Sequence, residues 1–548
     1  MIIYHTYAYK TTGPCATIVL MSKITKYLNQ LITGNVYDSP KILDFYSTDR
    51  SILKVTPKFV AVPESTDDLQ KLLKFFDKLT ERDLNIPVAI RGSGLGEMGG
   101  ALSSGVVIST EKLNHLMEID TREKLVRVQA GITLKELNTA LMVSGLTLPI
   151  KANENRTIGG LIAGFPTDDF AGKYGGIMNY VERAEIVLAN GERIQTNRVS
   201  KLSVSKKLAD KSLEGSIYYG LSKIFDENSA LVSKLQQNHT SAAGYPTAAL
   251  VKRRDAMNLL PAFFGSEGTL GVISEVILKA VPIKKQTARA IITFPKLSLA
   301  TKFLEPVAAL KPRELNLCDI RILKAAEENG KTISSITKTL EEGFAVYVSF
   351  DEKVSSNFKK LAALSKNLAR STKLITEDNE NSALFDEYEN SILNYLNLPK
   401  NGECVPLLTD FYLPNHNLLA FLEDLKTLEK KLKIDLPLFG SYANSNYNIR
   451  PVLNPMSLEF SDEALTLLKA GTFIINRGGG SIVGGTPEGR VKALVTNPSL
   501  PEDEKLFYAR IKDLFDPHHI LNPEIKLGTN QTATVRCFRT TTQSQIVV

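Results

Sequence analysis

Histidine and cysteine are scarce in this chain, and their scarcity removes whole classes of chemistry. The 548 residues hold six histidines: His5, His115, His239, His416, His518 and His519. The four cysteines, Cys15, Cys318, Cys404 and Cys537, lie far apart and form no C-x-x-C. A disulfide framework or a zinc site is therefore not expected, and a reducing cytoplasm fits. No run of about 18 apolar residues occurs, so no membrane-spanning helix is expected. Residues 1–20 lack a basic segment followed by an apolar one and do not read as a signal peptide, while Met21 opens a more typical stretch. The net charge of +7 is modest for this length, and basic residues are not interleaved with aromatics as in a nucleic-acid platform. Lysines such as Lys359, Lys360, Lys430 and Lys431 read as solvated helix faces, with weak association to the inner face of an anionic membrane or to an acidic partner as the alternative.

What the chain does have is glycine in one place. Arg91-Gly92-Ser93-Gly94-Leu95-Gly96-Glu97-Met98-Gly99-Gly100 follows the apolar run Ile86–Ile90, which reads as a strand. Backbone without Cβ atoms can wrap an anion with its amide hydrogens, and this loop reads as a cradle for the pyrophosphate of a nucleotide or dinucleotide. Gly94-Leu95-Gly96-Glu97-Met98-Gly99 fits the G-x-G-x-x-G pattern, but that pattern requires a helix opening at its last glycine. Here Val106-Val107-Ile108-Ser109 follows, another strand. The amides alone must hold the anion, with no helix dipole behind them.

At roughly 150 residues per domain, the length allows two to four domains. Phe59–Pro63 reads as a strand. Ser65–Asp68 offers N-caps for a helix whose apolar stripe is Leu69, Leu72, Leu73, Phe76 and Leu79. Leu125–Gly131 is a strand, and Thr133 can cap a helix over 134–142. Ala184–Leu188 and Arg193-Ile194 flank Asn190-Gly191, which predicts a two-residue type I′ hairpin. Strand–helix units recur at 288–310, 344–371 and 407–432, predicting an antiparallel sheet with helices on one face. The Thr- and Gln-rich tail after Gly528 is expected to be disordered.

Three more segments join the loop: Thr157-Ile158-Gly159-Gly160-Leu161-Ile162-Ala163-Gly164, Phe264-Gly265-Ser266-Glu267-Gly268-Thr269-Leu270-Gly271-Val272-Ile273, and Phe515-Asp516-Pro517-His518-His519-Ile520-Leu521-Asn522-Pro523. In this order they resemble the vanillyl-alcohol-oxidase/PCMH superfamily of FAD enzymes, and within it the D-lactate dehydrogenase and glycolate oxidase subunit branch. The resemblance implies an α+β fold: a two-subdomain PCMH-type FAD-binding domain plus a cap domain with an antiparallel sheet covered by helices. The expected boundaries are an N-terminal extension and lead-in helix at 1–54, the FAD-binding domain at 55–285, the cap at 286–504, a returning C-terminal segment at 505–528 and the tail at 529–548. It further implies that Gly92, Ser93, Gly94, Leu95, Gly96, Gly99 and Gly100 hold the pyrophosphate. Thr157, Gly159, Gly160 and Gly164 would line the flavin and ribityl side. Glu267, Gly268 and Ile273 would meet the adenosine half, and Asn522 the flavin edge. Many relatives attach the flavin through a histidine in the first loop; Leu95 stands there, so the FAD is expected to be non-covalent.

The cap departs from the branch. Its metal-binding H-A-G-D-G-N-L-H segment is matched by Ser441-Tyr442-Ala443-Asn444-Ser445-Asn446-Tyr447-Asn448, and its G-S-I-S-G-E-H-G by Gly480-Ser481-Ile482-Val483-Gly484-Gly485-Thr486-Pro487. Tyr388 stands where an arginine holds the substrate carboxylate. No metal is expected from Ser441, Asn448, Gly485 and Thr486. The candidates to replace the missing base are Glu488, Tyr442, Tyr447, Tyr388 and Thr486, and Arg450 and Arg490 are candidate anion partners. The resemblance thus implies hydride transfer to flavin N5 from a hydroxyl-bearing small molecule, a 2-hydroxy acid such as D-lactate or glycolate. Electrons would pass on to a quinone, a cytochrome, another protein or oxygen. A sugar or alditol substrate, or a flavin-binding protein without catalysis, are the alternatives. A pocket of hydroxyls and amides predicts that D-lactate and glycolate themselves are poor substrates.

Overall fold

Three sheets carry the molecule. The computed structural model describes residues 14–237, 241–253, 256–284, 287–328, 342–368, 374–376, 382–397 and 402–540. The first sheet has the order Asn35–Tyr37, Phe59–Val62, Val106–Ser109, Val88–Arg91. Its last three strands run parallel. Helix Thr66–Thr80 crosses from Phe59–Val62 to Val88–Arg91, over the strand between them, and Ser65 caps its start by accepting a hydrogen bond from the Asp68 amide. Leu69, Leu72, Leu73 and Phe76 form the stripe that this helix buries against the sheet. The glycine loop from 92 to 105 joins parallel neighbours with no helix between them.

The second sheet has the order Leu116–Asp120, Leu125–Gln129, Val272–Lys279, Val181–Val187, Arg193–Gln195, all antiparallel. Helix Leu134–Met142 opens with a capping box between Thr133 and Glu136. The hairpin at Asn190-Gly191 differs from the predicted type I′ turn. Only Gly191 has a positive φ, +84°, and the Leu188 amide donates to the Glu192 carbonyl around a three-residue loop. The Asn190 side chain accepts from the Glu192 amide at 2.9 Å, which keeps residue 190 in ordinary backbone space.

The third sheet is the cap. Seven antiparallel strands lie in the order Leu374–Thr376, Ala288–Phe294, Phe344–Phe350, Glu314–Asp319, Leu438–Ser441, Asn446–Ile449, Leu408–Tyr412. The two-residue period splits its faces. Leu315, Leu317, Val346, Val348, Leu438 and Ile449 pack on one side under helices Leu297–Ala308, Val354–Leu368, Leu418–Leu432 and Phe460–Arg477. Helices are not confined to that face, as the strand–helix repeats predicted. Ile320–Glu328 and Ser382–Leu396 cover one end of the other face through Ile320, Leu323, Phe385 and Tyr388. The remainder of that face is polar: Glu314, Asn316, Ser349, Ser441 and Asn446 stand on it in adjacent registers.

Helix Glu502–Phe515 packs Phe507, Tyr508, Ile511 and Phe515 into the core of the second sheet, and Ile520 and Leu521 enter that of the first. The segment 529–540 is not the disordered tail its composition predicts. Asn530 caps helix Gln531–Arg536, Phe538 is buried, and Arg539 pairs with Glu403 at 2.8 Å. Two anchoring side chains decide the matter where average polarity does not. Residues 541–548 lie outside the described residues.

Candidate cofactor and substrate site

One cavity collects most of the glycine-rich segments. Gly92, Ser93, Gly94, Leu95, Gly96 and Gly100 line it from the first loop, Thr157, Gly159, Gly160 and Gly164 from the second segment, and Glu267, Gly268 and Ile273 from the third. Among the described residues, no backbone N–H from 92 to 100 donates to a protein acceptor. More than nine in ten buried amides in folded proteins are paired, so such a run marks a site for an external acceptor. A Cβ on Gly92 would lie 2.1 Å from Thr157 Oγ1, and one on Gly100 2.7 Å from Glu267 Oε2, so the three segments converge at backbone distance. This is the cradle that a pyrophosphate fits, and the residues present suit FAD.

Two of the expected contacts act from behind the cavity. Gly99 has φ +75° and its Cβ would strike Leu53 Cδ1 at 2.5 Å, so that glycine shapes the loop's packing. Asn522 does not line the cavity; its amide nitrogen donates to the Gly100 carbonyl at 2.6 Å and the Glu267 carbonyl at 3.1 Å, tying the first and third segments together. Glu267 accepts from the Glu488 and Gly489 amides at 3.0 Å each and faces Lys526 Nζ at 3.2 Å.

The candidate bases are dispersed. Tyr388 is buried in the cap core, stacked on Tyr347 with ring centroids 5.6 Å apart. Tyr447 is fully buried and its hydroxyl donates to Asn415 Oδ1. Tyr442 is buried with the apolar cap residues. Glu488 is 0% exposed; its carboxylate accepts from the Gly244 amide and from the Thr496 hydroxyl. Of the five, Thr486 alone lines the cavity, beside Pro487. The spacing of these residues from glycine motifs gave no information on which way each side chain turns; Tyr388 and Tyr447 face the core from their helix and strand, and Tyr442 is buried from the turn between two cap strands.

Both arginines are committed. Arg450 grips Glu97 of the glycine loop through two bonds of 2.9 and 2.8 Å, joining cap to cradle. Arg490 pairs with Glu524 at 2.7 Å and donates to the Leu102 carbonyl at 2.8 Å. At the positions of the branch's metal segment, Ser441 Oγ accepts from the Asn444 amide, and the Asn448 amide donates to Asp410 Oδ1. His518 and His519 turn apart, toward Asp77 and Asp513.

Sequence reasoning missed two ionisable groups with displaced protonation, Lys492 and Asp169. Lys492 is 0% exposed and donates to the Thr409 carbonyl at 2.6 Å, the Ile482 carbonyl at 2.7 Å, and Thr486 Oγ1. Its only sequence mark is a charge inside Val491-Lys492-Ala493-Leu494-Val495. Asp169 follows the flavin-side segment; burial pushes its carboxyl up to about 7, with Lys151 opposing and Glu314, Asp168 and Asp410 adding to the rise. A second cavity of about 540 Å³ lies between the FAD-side segment and the cap, lined by Lys151, Phe170, Arg313, Glu314 and Ser349. Arg313 stacks over the Phe170 ring at 4.1 Å, and among the described residues its guanidinium makes no ion pair.

Comparison with known proteins agrees with this geometry. One protein-family model, the FAD binding domain, matches residues 57–197, and a second, the C-terminal domain of FAD linked oxidases, matches 283–525. The chain is 27% identical to D-lactate dehydrogenase of Archaeoglobus fulgidus over 88% of this chain and 95% of that protein. It is 24% identical to D-2-hydroxyglutarate dehydrogenase of Pseudomonas putida over 87% of its length, and it spans only 49% of that longer protein. The structure of 4-ethylphenol oxidase from Gulosibacter chungangensis matches with a TM-score of 0.68 at 14% identity, over 95% of this chain and 98% of that one, which shows a shared fold. The chain carries the FAD binding domain and the C-terminal domain of the FAD linked oxidases. FAD is the cofactor that both matched domains name.

Proposed function

We propose that this protein oxidises a 2-hydroxy acid, removing hydrogen from the carbon that bears the hydroxyl. The observation that carries the reading is the run of amides at 92–100 with no protein acceptor among the described residues, together with a cap sheet whose uncovered face is polar. Bound FAD supplies the two-electron acceptor for the hydride. The chain's own residues bind, orient and exclude water. The loop amides and Gly100, held by Asn522, fix the pyrophosphate. The Arg450–Glu97 pair clamps the cap against that loop and keeps water from the reacting face. Arg313, stacked on Phe170 and with no ion pair within 4 Å among the described residues, is the cation for the substrate carboxylate that the position of Tyr388 does not supply. Electrons leave to a quinone, a cytochrome, another protein or oxygen.

A second reading, a neutral polyol as substrate, is favoured by one observation. Asn316 Oδ1 and Asn446 Nδ2 are buried on the polar cap face without hydrogen-bond partners among the described residues, and neutral hydroxyls would satisfy both. Anaerobic mixing with a panel of 2-hydroxy acids and alditols, read by bleaching of the flavin band, separates the two. Acids larger than D-lactate and glycolate are expected to bleach it fastest, and an alditol that outpaces every acid would select the second reading.

Two further outcomes are expected. Acid precipitation releases all the flavin into the supernatant as intact FAD, because Leu95 offers no nucleophile; flavin that stays with the pellet would contradict this. Prolonged dialysis against a chelator leaves the bleaching rate unchanged, because Ser441, Asn448, Gly485 and Thr486 are poor metal ligands. Loss of rate with recovery on adding zinc or manganese would overturn that.

A further inference from the structure

Lys492 has no role in the cofactor cradle, yet it is wholly buried and directly bonded to a residue that lines it. Its three acceptors are of two kinds. The Thr409 and Ile482 carbonyls can only accept, whereas the Thr486 hydroxyl can accept or donate. An ammonium satisfies all three with its three hydrogens. A neutral amine satisfies the two carbonyls with two hydrogens and takes the threonine hydrogen on its lone pair. The site therefore holds either protonation state without an unpaired group, and the passage between them reverses the direction of one hydrogen bond. That bond ends on a residue of the cavity wall.

Resting on the oxidation proposed above, we propose that Thr486 and Lys492 form a proton relay: Thr486 takes the hydroxyl proton of the substrate and passes its own to the Lys492 amine. In this step the substrate O–H bond breaks and a Thr486 Oγ–H bond forms. The former Thr486 O–H bond breaks and a Lys492 N–H bond forms, giving ammonium. The electron pair of the substrate C–H bond leaves as hydride to FAD, and the substrate carbon becomes a carbonyl. Threonine alone is too weak a base for this work; the amine behind it is the proton's destination. Thr486 is the catalytic group, and Lys492 acts through it.

The surroundings suit an amine that is neutral near physiological pH. Burial pushes Lys492 down to about 7, and Arg450 adds to the fall, while Asp410, Glu97 and Glu267 oppose it. Below that pH the ammonium has no lone pair to accept a proton, so the rate of flavin bleaching rises with pH through about 7. The same depression has a stability sign. Unfolded lysine binds its proton up to about 10.4, so from roughly 7 to 10.4 unfolding takes up a proton and stability climbs with pH.

The test uses the full-length holoprotein, with the panel acid that bleaches the wild type fastest, mixed anaerobically across pH 6–9. Thr486→Val keeps the shape and removes the hydroxyl; it is expected to retain FAD, bleach at least tenfold slower and lose the rising pH limb. Thr486→Ser is expected to recover most of the rate and the limb. Lys492→Met is expected to be slow at every pH, and its melting temperature to lose the climb with pH between about 7 and 10, a readout that needs no substrate. A Thr486→Val protein that bleaches at the wild-type rate with the limb intact would overturn the relay. A melting profile of Lys492→Met that climbs as the wild type does would overturn the assignment of the amine. If no panel compound bleaches the wild-type flavin, the proposed oxidation fails first, and the relay falls with it.

Discussion

A Gly96→Leu variant is expected to fold normally and purify without colour. Gly96 lines the cradle, and a Cβ built on it meets nothing nearer than Asp49 Oδ2 at 3.9 Å, so the protein itself has room for a side chain there. The branched side chain would occupy the space reserved for the pyrophosphate. Folding and cofactor binding are thereby separated, which substitutions at neighbouring glycines do not achieve. At Gly94, with φ +69°, any Cβ would fall 2.2 Å from the Arg91 guanidinium, which itself donates to the Thr48 carbonyl at 2.7 Å. Gly94→Val should therefore lose stability as well as flavin, with the left-handed backbone alone costing about 1–3 kcal/mol. The measurement is FAD content at 450 nm alongside thermal melting. Gly96→Leu should show an FAD affinity at least a hundredfold weaker with a melting temperature near that of the wild-type apoprotein. A yellow, saturated Gly96→Leu protein would place the pyrophosphate elsewhere.

The largest loss of stability is expected from Lys526→Met. Lys526 is 1% exposed and stands 3.2 Å from Glu267 and 3.7 Å from Glu488, with Nζ also donating to the Gly244 carbonyl. Its removal would leave two carboxylates buried with no cation between them. Breaking a buried pair by deleting one partner costs about 3–5 kcal/mol, mostly from the charge left behind. The triad also supports the cradle, because Glu267 lines the cavity and accepts the Glu488 and Gly489 amides. Flavin affinity should therefore fall together with the denaturation midpoint. Adding Glu488→Gln to Lys526→Met should restore part of the loss, since one stranded charge is then neutral. A melting temperature of Lys526→Met equal to wild type would show that water reaches the triad.

The sequence made the repeated elements legible where one face meets a core. Helix Leu134–Met142 with its Thr133 cap, and strands Ala288–Phe294 and Phe344–Phe350, follow from period and capping alone. The absence of a helix after the glycine loop followed from Val106–Ser109, and that absence excluded the dinucleotide fold that G-x-G-x-x-G suggests. Side-chain direction was not legible. Tyr388 lies on a helix, Tyr447 on a strand and Tyr442 in the turn between two cap strands, and burial of their amphipathic rings outweighs the pull of a polar pocket. Glu488 and Lys526 lie far apart in sequence from Glu267, so their triad comes only from the return of the C-terminal segment. Lys492 was hidden for the opposite reason: a lone lysine in an apolar run reads as a helix-surface residue until the two carbonyls and the threonine that receive it are seen.

The most direct test of the central claim is an anaerobic titration of the purified, FAD-saturated protein with a 2-hydroxy acid, followed at the flavin absorbance band. The account predicts that the band bleaches fully, with one equivalent of the 2-oxo acid formed per flavin, and that air or an artificial acceptor restores the colour. A flavin that stays oxidised with every 2-hydroxy acid and every alditol, while dithionite reduces it readily, would contradict the account and leave a flavin-binding protein without this chemistry.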